Sequence, residues 1–210
     1  MSFSLNEIEA TAKRATRGAG YPWGLAEEAA KAARWLAAHD IDACAELAAL
    51  LTRIDGVPLA DLSPDTDGAN WAAPGGTLCP LAAGAALSDR AAELSDAGFR
   101  LEQVARPALL VPFAALIAQQ ISRPVTLRWG GGCAVTDGKA LDLSGATPDL
   151  APLVEVTLGG QIDAATPMRS RAQPAPEARA TLNRFAHRTY APATEESRLK
   201  GAGAGLSDND

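Results

Sequence analysis

Apolar residues recur at helical spacing from the start of the chain to about position 55, dissolve into an irregular polar stretch, and return at strand spacing beyond position 124. Ser4 stands three residues before Glu7, the spacing of a capping box, in which hydroxyl and carboxylate satisfy each other's free backbone amides at a helix start. A helix is predicted from about Leu5 to Arg17, ended by Gly18 and Gly20. The next segment places Leu25, Ala29, Ala32, Ala33 and Leu36 on one face and keeps Glu27, Glu28, Lys31 and Arg34 largely off it, which predicts a second, amphipathic helix. Leu47, Leu50, Leu51 and Ile54 carry a third, stopped at Asp55-Gly56. Their facing side chains are mostly small, so the three helices can approach closely as one layer over residues 1–55.

From Val57 to Thr77 the pattern gives way to Pro, Gly, Asp and Ser around Trp71, an irregular connection. The segment from Ala108 to Ile121 is too apolar to lie exposed and too short to cross a membrane; it predicts a central buried helix with Pro112 in, or kinking, its first turn. Val125, Leu127 and Trp129, then Ala134 to Thr136, Ala140 to Leu143 and Leu153 to Leu158, predict short strands, and Asp137-Gly138 is a hairpin signal. Residues 160–176 read as a polar surface loop, and Glu177 to Arg188 as a helix with Ala180, Leu182, Phe185 and Ala186 among its apolar contacts. The expected fold class is α+β: an Ala-rich helical layer packed on a small, mostly antiparallel sheet, with a C-terminal helix and an extended Gly-Ala tail. A single compact domain over 1–210 is expected, with 1–55 the helical layer, 56–160 a mixed α/β core, and 161–210 the C-terminal helix and a site or docking tail.

With 47% hydrophobic residues over 210 positions, the chain can bury a sizeable core. A formal net charge of -6 argues against nucleic acid or an anionic membrane surface as partners. The start, MSFSLNEIEA, lacks the basic region and apolar core of a secretion signal, and no run of about 18 apolar residues is available to span a bilayer. Cys44, Cys79 and Cys133 are odd in number and widely spaced, which suits reduced thiols better than disulfides or a zinc site. A cytoplasmic location is expected. His39 and His187, at opposite ends, give no metal-ligand spacing, and no metal or cofactor is expected.

Several positions carry candidate chemistry. Pro80 follows Cys79 at the head of an Ala-rich run, which places the proline at the first helical position and the cysteine at the N-cap. A thiol there feels the positive end of the helix dipole, which favours thiolate; the bland reading is a small buried residue at a tight turn. His39, beside Asp40, is a general base or, more commonly for its position, a helix-terminal group meeting dipole and solvent. The turn from Gly20 to Gly24 displays Tyr21 and Trp23, for a ligand, another subunit or the core. Gly130, Gly131 and Gly132 lack a dinucleotide or P-loop spacing and read first as a turn or bulge, second as a ligand-contact loop.

The densest chemistry lies at the end. His187, Tyr190 and the Glu195-Glu196 pair offer acid/base groups, while Arg184, Arg188, Arg198 and Lys200 offer anion donors. The same glutamates also fit the first turn of a short helix capped by Thr194. Gly203 lies in a run of glycines at every second position, which either frays in water or lets an extended chain lie closely against a surface.

The Ser4-Leu5-Asn6-Glu7 start, the Gly18 to Gly24 turn, the Pro74 to Pro80 segment and the stretch from Phe185 to Gly205 together resemble an uncharacterised bacterial family known only as a domain of unknown function. The resemblance spans most of the chain and implies no reaction. The first forty residues are also similar to the helical start of the malate/L-lactate dehydrogenase family, but that family's D-S-H-G motif is absent, so the similarity implies no nicotinamide chemistry.

Three functions are expected from these residues. The first is an enzyme working by proton transfer, of isomerase, lyase or hydrolase type, on a small polar, carboxylate-bearing metabolite. It would use Cys79, His187, Tyr190 and Glu195 as catalytic groups, Arg184 and Arg198 as anion clamps, and Gly131, Gly132 and Gly203 where backbone approaches the ligand. The second is a non-catalytic subunit that docks onto a partner enzyme, or onto another copy of itself, through its tail. The third is a small-molecule binding module with no chemistry.

Overall fold

A computed structural model describes residues 1–190. Helix α1 (Leu5–Gly18) begins where the capping box predicts: the Glu7 amide donates to the Ser4 hydroxyl at 3.2 Å and the Ser4 amide donates to the Glu7 carboxylate at 2.8 Å. Beyond it lie α2 (Trp23–Ala38), α3 (Ala43–Arg53), the short α4 (Leu59–Leu62), α5 (Pro80–Asp89), α6 (Val111–Ile121) and α7 (Pro176–His187). The alanine face of α2 is buried as its spacing predicts, with Ala29, Ala33 and Leu36 nearly inaccessible. Helix α7 joins the layer by crossing α1 and α3. At Gly18 a Cβ would stand 1.7 Å from the carbonyl oxygen of Phe185, so the end of α1 has room for α7 only as glycine.

The strands form two sheets. A two-stranded ribbon pairs β1 (Phe3–Ser4) with β8 (Arg171–Ala172), so the stretch expected to be a surface loop returns to the start of the chain. The main sheet has β2 (Asn70–Trp71), β3 (Phe99–Ala105), β4 (Val125–Trp129), β5 (Gly132–Thr136), β6 (Leu141–Gly145) and β7 (Leu150–Leu158). Their spatial order is β2-β3-β7-β4-β5-β6; β2 lies parallel to β3 and every other pairing is antiparallel. With seven α-helices over this sheet among the described residues, the fold is α+β, as the pattern predicts.

Strand β3 is absent from the sequence reading. Phe99 and Leu101 point inward and Arg100 and Glu102 outward, but Gln103 breaks the rhythm at φ 50°. Its position between Glu102, paired with Leu153, and Val104, paired with Ala151, sets it opposite Pro152, which has no N–H to give. The Gln103 carbonyl instead accepts from the Leu78 amide at 2.9 Å.

Apolar residues divide into two cores. One, among α1, α2, α3 and α7, includes Ala12, Leu47, Leu50, Leu51, Leu182 and Phe185. The other, between α6 and the inner sheet face, includes Trp71, Leu101, Ile117, Leu127, Val154 and Val156. Trp35 and Ile41 pack against both.

One ion pair also joins the layers. Arg106, at the end of β3, takes a left-handed conformation (φ 46°, ψ 64°). Its guanidinium donates through Nε and Nη2 to the two carboxylate oxygens of Glu46 on α3, and through Nη1 to Asp149. Arg106 and Glu46 are only 15% and 9% exposed, whereas Asp149 faces solvent. Replacing Arg106 by alanine leaves an enclosed carboxylate unpaired. It is expected to lower the unfolding free energy by about 3–5 kcal/mol in urea denaturation, whereas a loss below about 1 kcal/mol would rank the pair with ordinary surface contacts.

Candidate functional site

The N-cap of α5 is Cys79 and its first residue is Pro80, as the sequence predicts, but the thiol is no nucleophile in waiting. It is fully buried, with Tyr21 Oη 3.2 Å away. Burial pushes the thiol up, and this outweighs the Tyr21 hydroxyl and the amides of Ala82 and Leu81, which pull it down. The amides at the start of α5 act in the direction a helix terminus dictates, but enclosure is the larger effect. Tyr21 is correspondingly buried, the core alternative for this turn, and its phenol is pushed up by burial and then by Cys79. Trp23 alone is displayed, 62% exposed, with the Arg17 guanidinium 4.8 Å from its ring centre.

His187 and Tyr190 come together at the end of α7, ring centres 5.0 Å apart and edge-on, and both are exposed. Tyr190 Oη accepts from Arg14 at 3.4 Å. None of the hydrogen bonds among the described residues joins either group to Cys79. Arg184 donates to the Thr181 hydroxyl of its own helix. Arg188 is committed to Asp55 through two bonds of 2.7 and 2.8 Å, and this guanidinium holds the Asp55 carboxyl below the usual range. Glu195, Arg198 and Gly203 lie outside the described residues.

The glycine run is a turn. Trp129 pairs with Gly132, leaving Gly130 and Gly131 as a two-residue hairpin with Gly131 at φ 82°, a conformation that costs glycine little. A Cβ at Gly132 would stand 2.2 Å from Trp129 Nε1, so this glycine accommodates an indole and not a ligand.

His39 is the helix-terminal group its position predicts, meeting a carbonyl of the last turn of α2, but it does so away from solvent. It is buried, stacked on Trp35 at 3.7 Å between ring centres, and its nitrogens lie 2.8 Å from the Trp35 carbonyl oxygen and 3.0 Å from that of Lys139. His39 is a strap between α2 and the β5–β6 turn.

A polar cleft of about 440 Å³ opens where the α2–α3 junction meets the strap from Arg169 to Pro174. On one wall stand Asp40 and Asp42; on the other, Arg169, Arg171 and Gln173. Arg169 Nη2 donates to Asp40 at 2.9 Å, and its backbone amide donates to the Ala38 carbonyl at 2.7 Å. Asp42 caps α3 by accepting from the Ala45 amide and also accepts from the Ala175 amide, at 2.9 and 2.8 Å. Arg171 holds Ser2 through Nε and Nη2. The remaining guanidinium N–H groups of Arg169 and Arg171 make no hydrogen bond among the described residues. Cys44 closes the cleft wall; burial, then the Asp42 charge, pushes its thiol up to about 12. The cleft thus offers anion donors opposite carboxylates.

Sequence reasoning missed this site because its two walls are separated by more than a hundred residues. The only local signal was Arg169 and Arg171 two apart, the spacing that puts both side chains on one side of an extended strand.

Residues 3–79 match the model of a family described as a protein of unknown function (DUF3726). The matched stretch includes Asp40, Asp42 and Cys79 and stops short of the Arg169–Pro174 strap. No curated protein and no solved structure gives a match. No helix among the described residues is long and apolar enough to cross a membrane.

The cysteines supply a direct check of burial. Cys133 is partly exposed whereas Cys44 and Cys79 are buried. Ellman's reagent is expected to titrate one thiol promptly in the folded protein and the other two only as it unfolds. Cys133→Ser should remove the prompt phase, and a prompt phase that survives it would reopen the case for Cys79 or Cys44.

Proposed function

We propose that the chain is a small-molecule binding module whose cleft takes a small polar metabolite bearing a carboxylate. The observation that carries this reading is the placement of Arg169 and Arg171 in the same lining as Asp40 and Asp42, around a cavity of about 440 Å³, within the range of sites for small ligands. Free guanidinium N–H groups would grip the carboxylate. The facing aspartates suit an ammonium or hydroxyl on the same molecule, as in an amino acid or hydroxy acid. Binding without chemistry is favoured over proton transfer because Cys79 is enclosed, with burial raising its pKa, and neither it nor His187 or Tyr190 lines the cleft.

Docking onto a partner protein is the second reading, and the exposed Trp23 ring favours it, since a large displayed aromatic is the usual anchor of such contacts.

Calorimetric titration with a panel of amino acids and hydroxy acids tests the first reading. At least one should bind saturably, and Arg169→Ala and Arg171→Ala should each weaken it by about 1.5–3 kcal/mol, roughly ten- to a hundredfold. Absence of binding across the panel, or affinity indifferent to both substitutions, would remove the cleft from consideration.

A further inference from the structure

On the opposite flank of the α2 terminus, two cavities of about 160 and 360 Å³ share Lys31, Trp35 and Gln119 and so form one trough between α2 and α6. Its body is apolar. Trp35 is half-buried across it, Phe113 and Pro112 line one end, and Leu116 and Met168 are left 37% and 65% exposed at its edges.

Its rim is cationic on a chain of net charge -6. Lys31, Arg34 and Lys139 surround the larger cavity, and the one acidic residue in either lining is Glu28, which Lys31 already holds at 2.8 Å. Arg34 is shared with Asn6 and Glu9. Lys139 makes no ion pair, and the Trp35 indole N–H makes no hydrogen bond, among the described residues. Gln119 spends its amide donor on the Gly138 carbonyl.

The trough therefore presents an aromatic surface flanked by unspent donors and positive charge. That combination selects an anion with a flat apolar body, because the ring face buries against Trp35 and the charge meets the ammonium of Lys139. We infer that this trough is a second binding site, separate from the cleft, for an aryl carboxylate.

Amide correlation NMR spectra of the full chain, titrated with naphthoate, test this inference, with the Trp35 indole resonance assigned through Trp35→Phe. That resonance should shift saturably. The indoles of Trp71 and Trp129, which donate to Gly68 and Ala146, should hold still. Lys139→Ala should weaken binding roughly two- to fivefold, as the loss of one exposed ion pair does. Naphthalenemethanol, the uncharged counterpart, should lose at least as much, while Arg169→Ala should change nothing. A stationary Trp35 resonance, or equal binding of naphthoate and the alcohol with Lys139→Ala indifferent, would overturn the inference.

Discussion

The Glu46–Arg106 pair is the interaction on which the arrangement of layers depends. Hydrophobic burial is non-directional and would let the helical layer slide over the sheet at little cost. Two parallel hydrogen bonds between a planar guanidinium and a carboxylate permit one orientation only. The pair sits between α3 and the end of β3, almost excluded from water, and Arg106 adopts a left-handed backbone to reach it. Such a conformation is strained for a residue with a side chain, and here it accompanies a guanidinium that reaches both Glu46 and Asp149. Asp149, mostly in solvent, adds charge to the outer side of the guanidinium and little more.

Around this fixed point, the terminus of α2 has three uses. Its last turn buries His39 against the β5–β6 turn. One side of the following junction supplies the aspartates of the cleft, and the other side of the helix supplies the trough. Met168 and Arg169, consecutive in the chain, fall on different sides of this divide. Trp35 is central to it, since it touches both cores while its ring faces the trough. The surface chemistry is therefore carried by an element whose position is set by packing on both sides.

The legible parts of the fold were those decided locally. A capping box, a stripe of alanines and leucines, a proline behind an N-cap and an Asp-Gly turn each act within a few residues, and α1, α2, α5 and the β5–β6 turn follow from them. Pairings across long distances were not legible. Strand β3 hides because Gln103 twists opposite Pro152, and β8 reads as a loop because its partner is the third and fourth residue of the chain. The site suffered most. Cys79 was placed at the right helix position, but its chemistry turned on Tyr21, 58 residues away, and on enclosure no local pattern reveals. The cleft joins Asp40 to Arg169, and nothing near either residue announces the other.

The place of β7 at the heart of the sheet has a consequence for how the protein comes to be. It is the last strand of the main sheet to be synthesised, yet it separates β3 from β4 and hydrogen-bonds to both. While residues 150–158 remain on the ribosome, β3 has no antiparallel neighbour and the β4–β5–β6 meander has an open edge. Any half-sheet formed in that interval exposes unpaired backbone of the kind that invites aggregation. Completion of the main sheet therefore waits on residues 150–158.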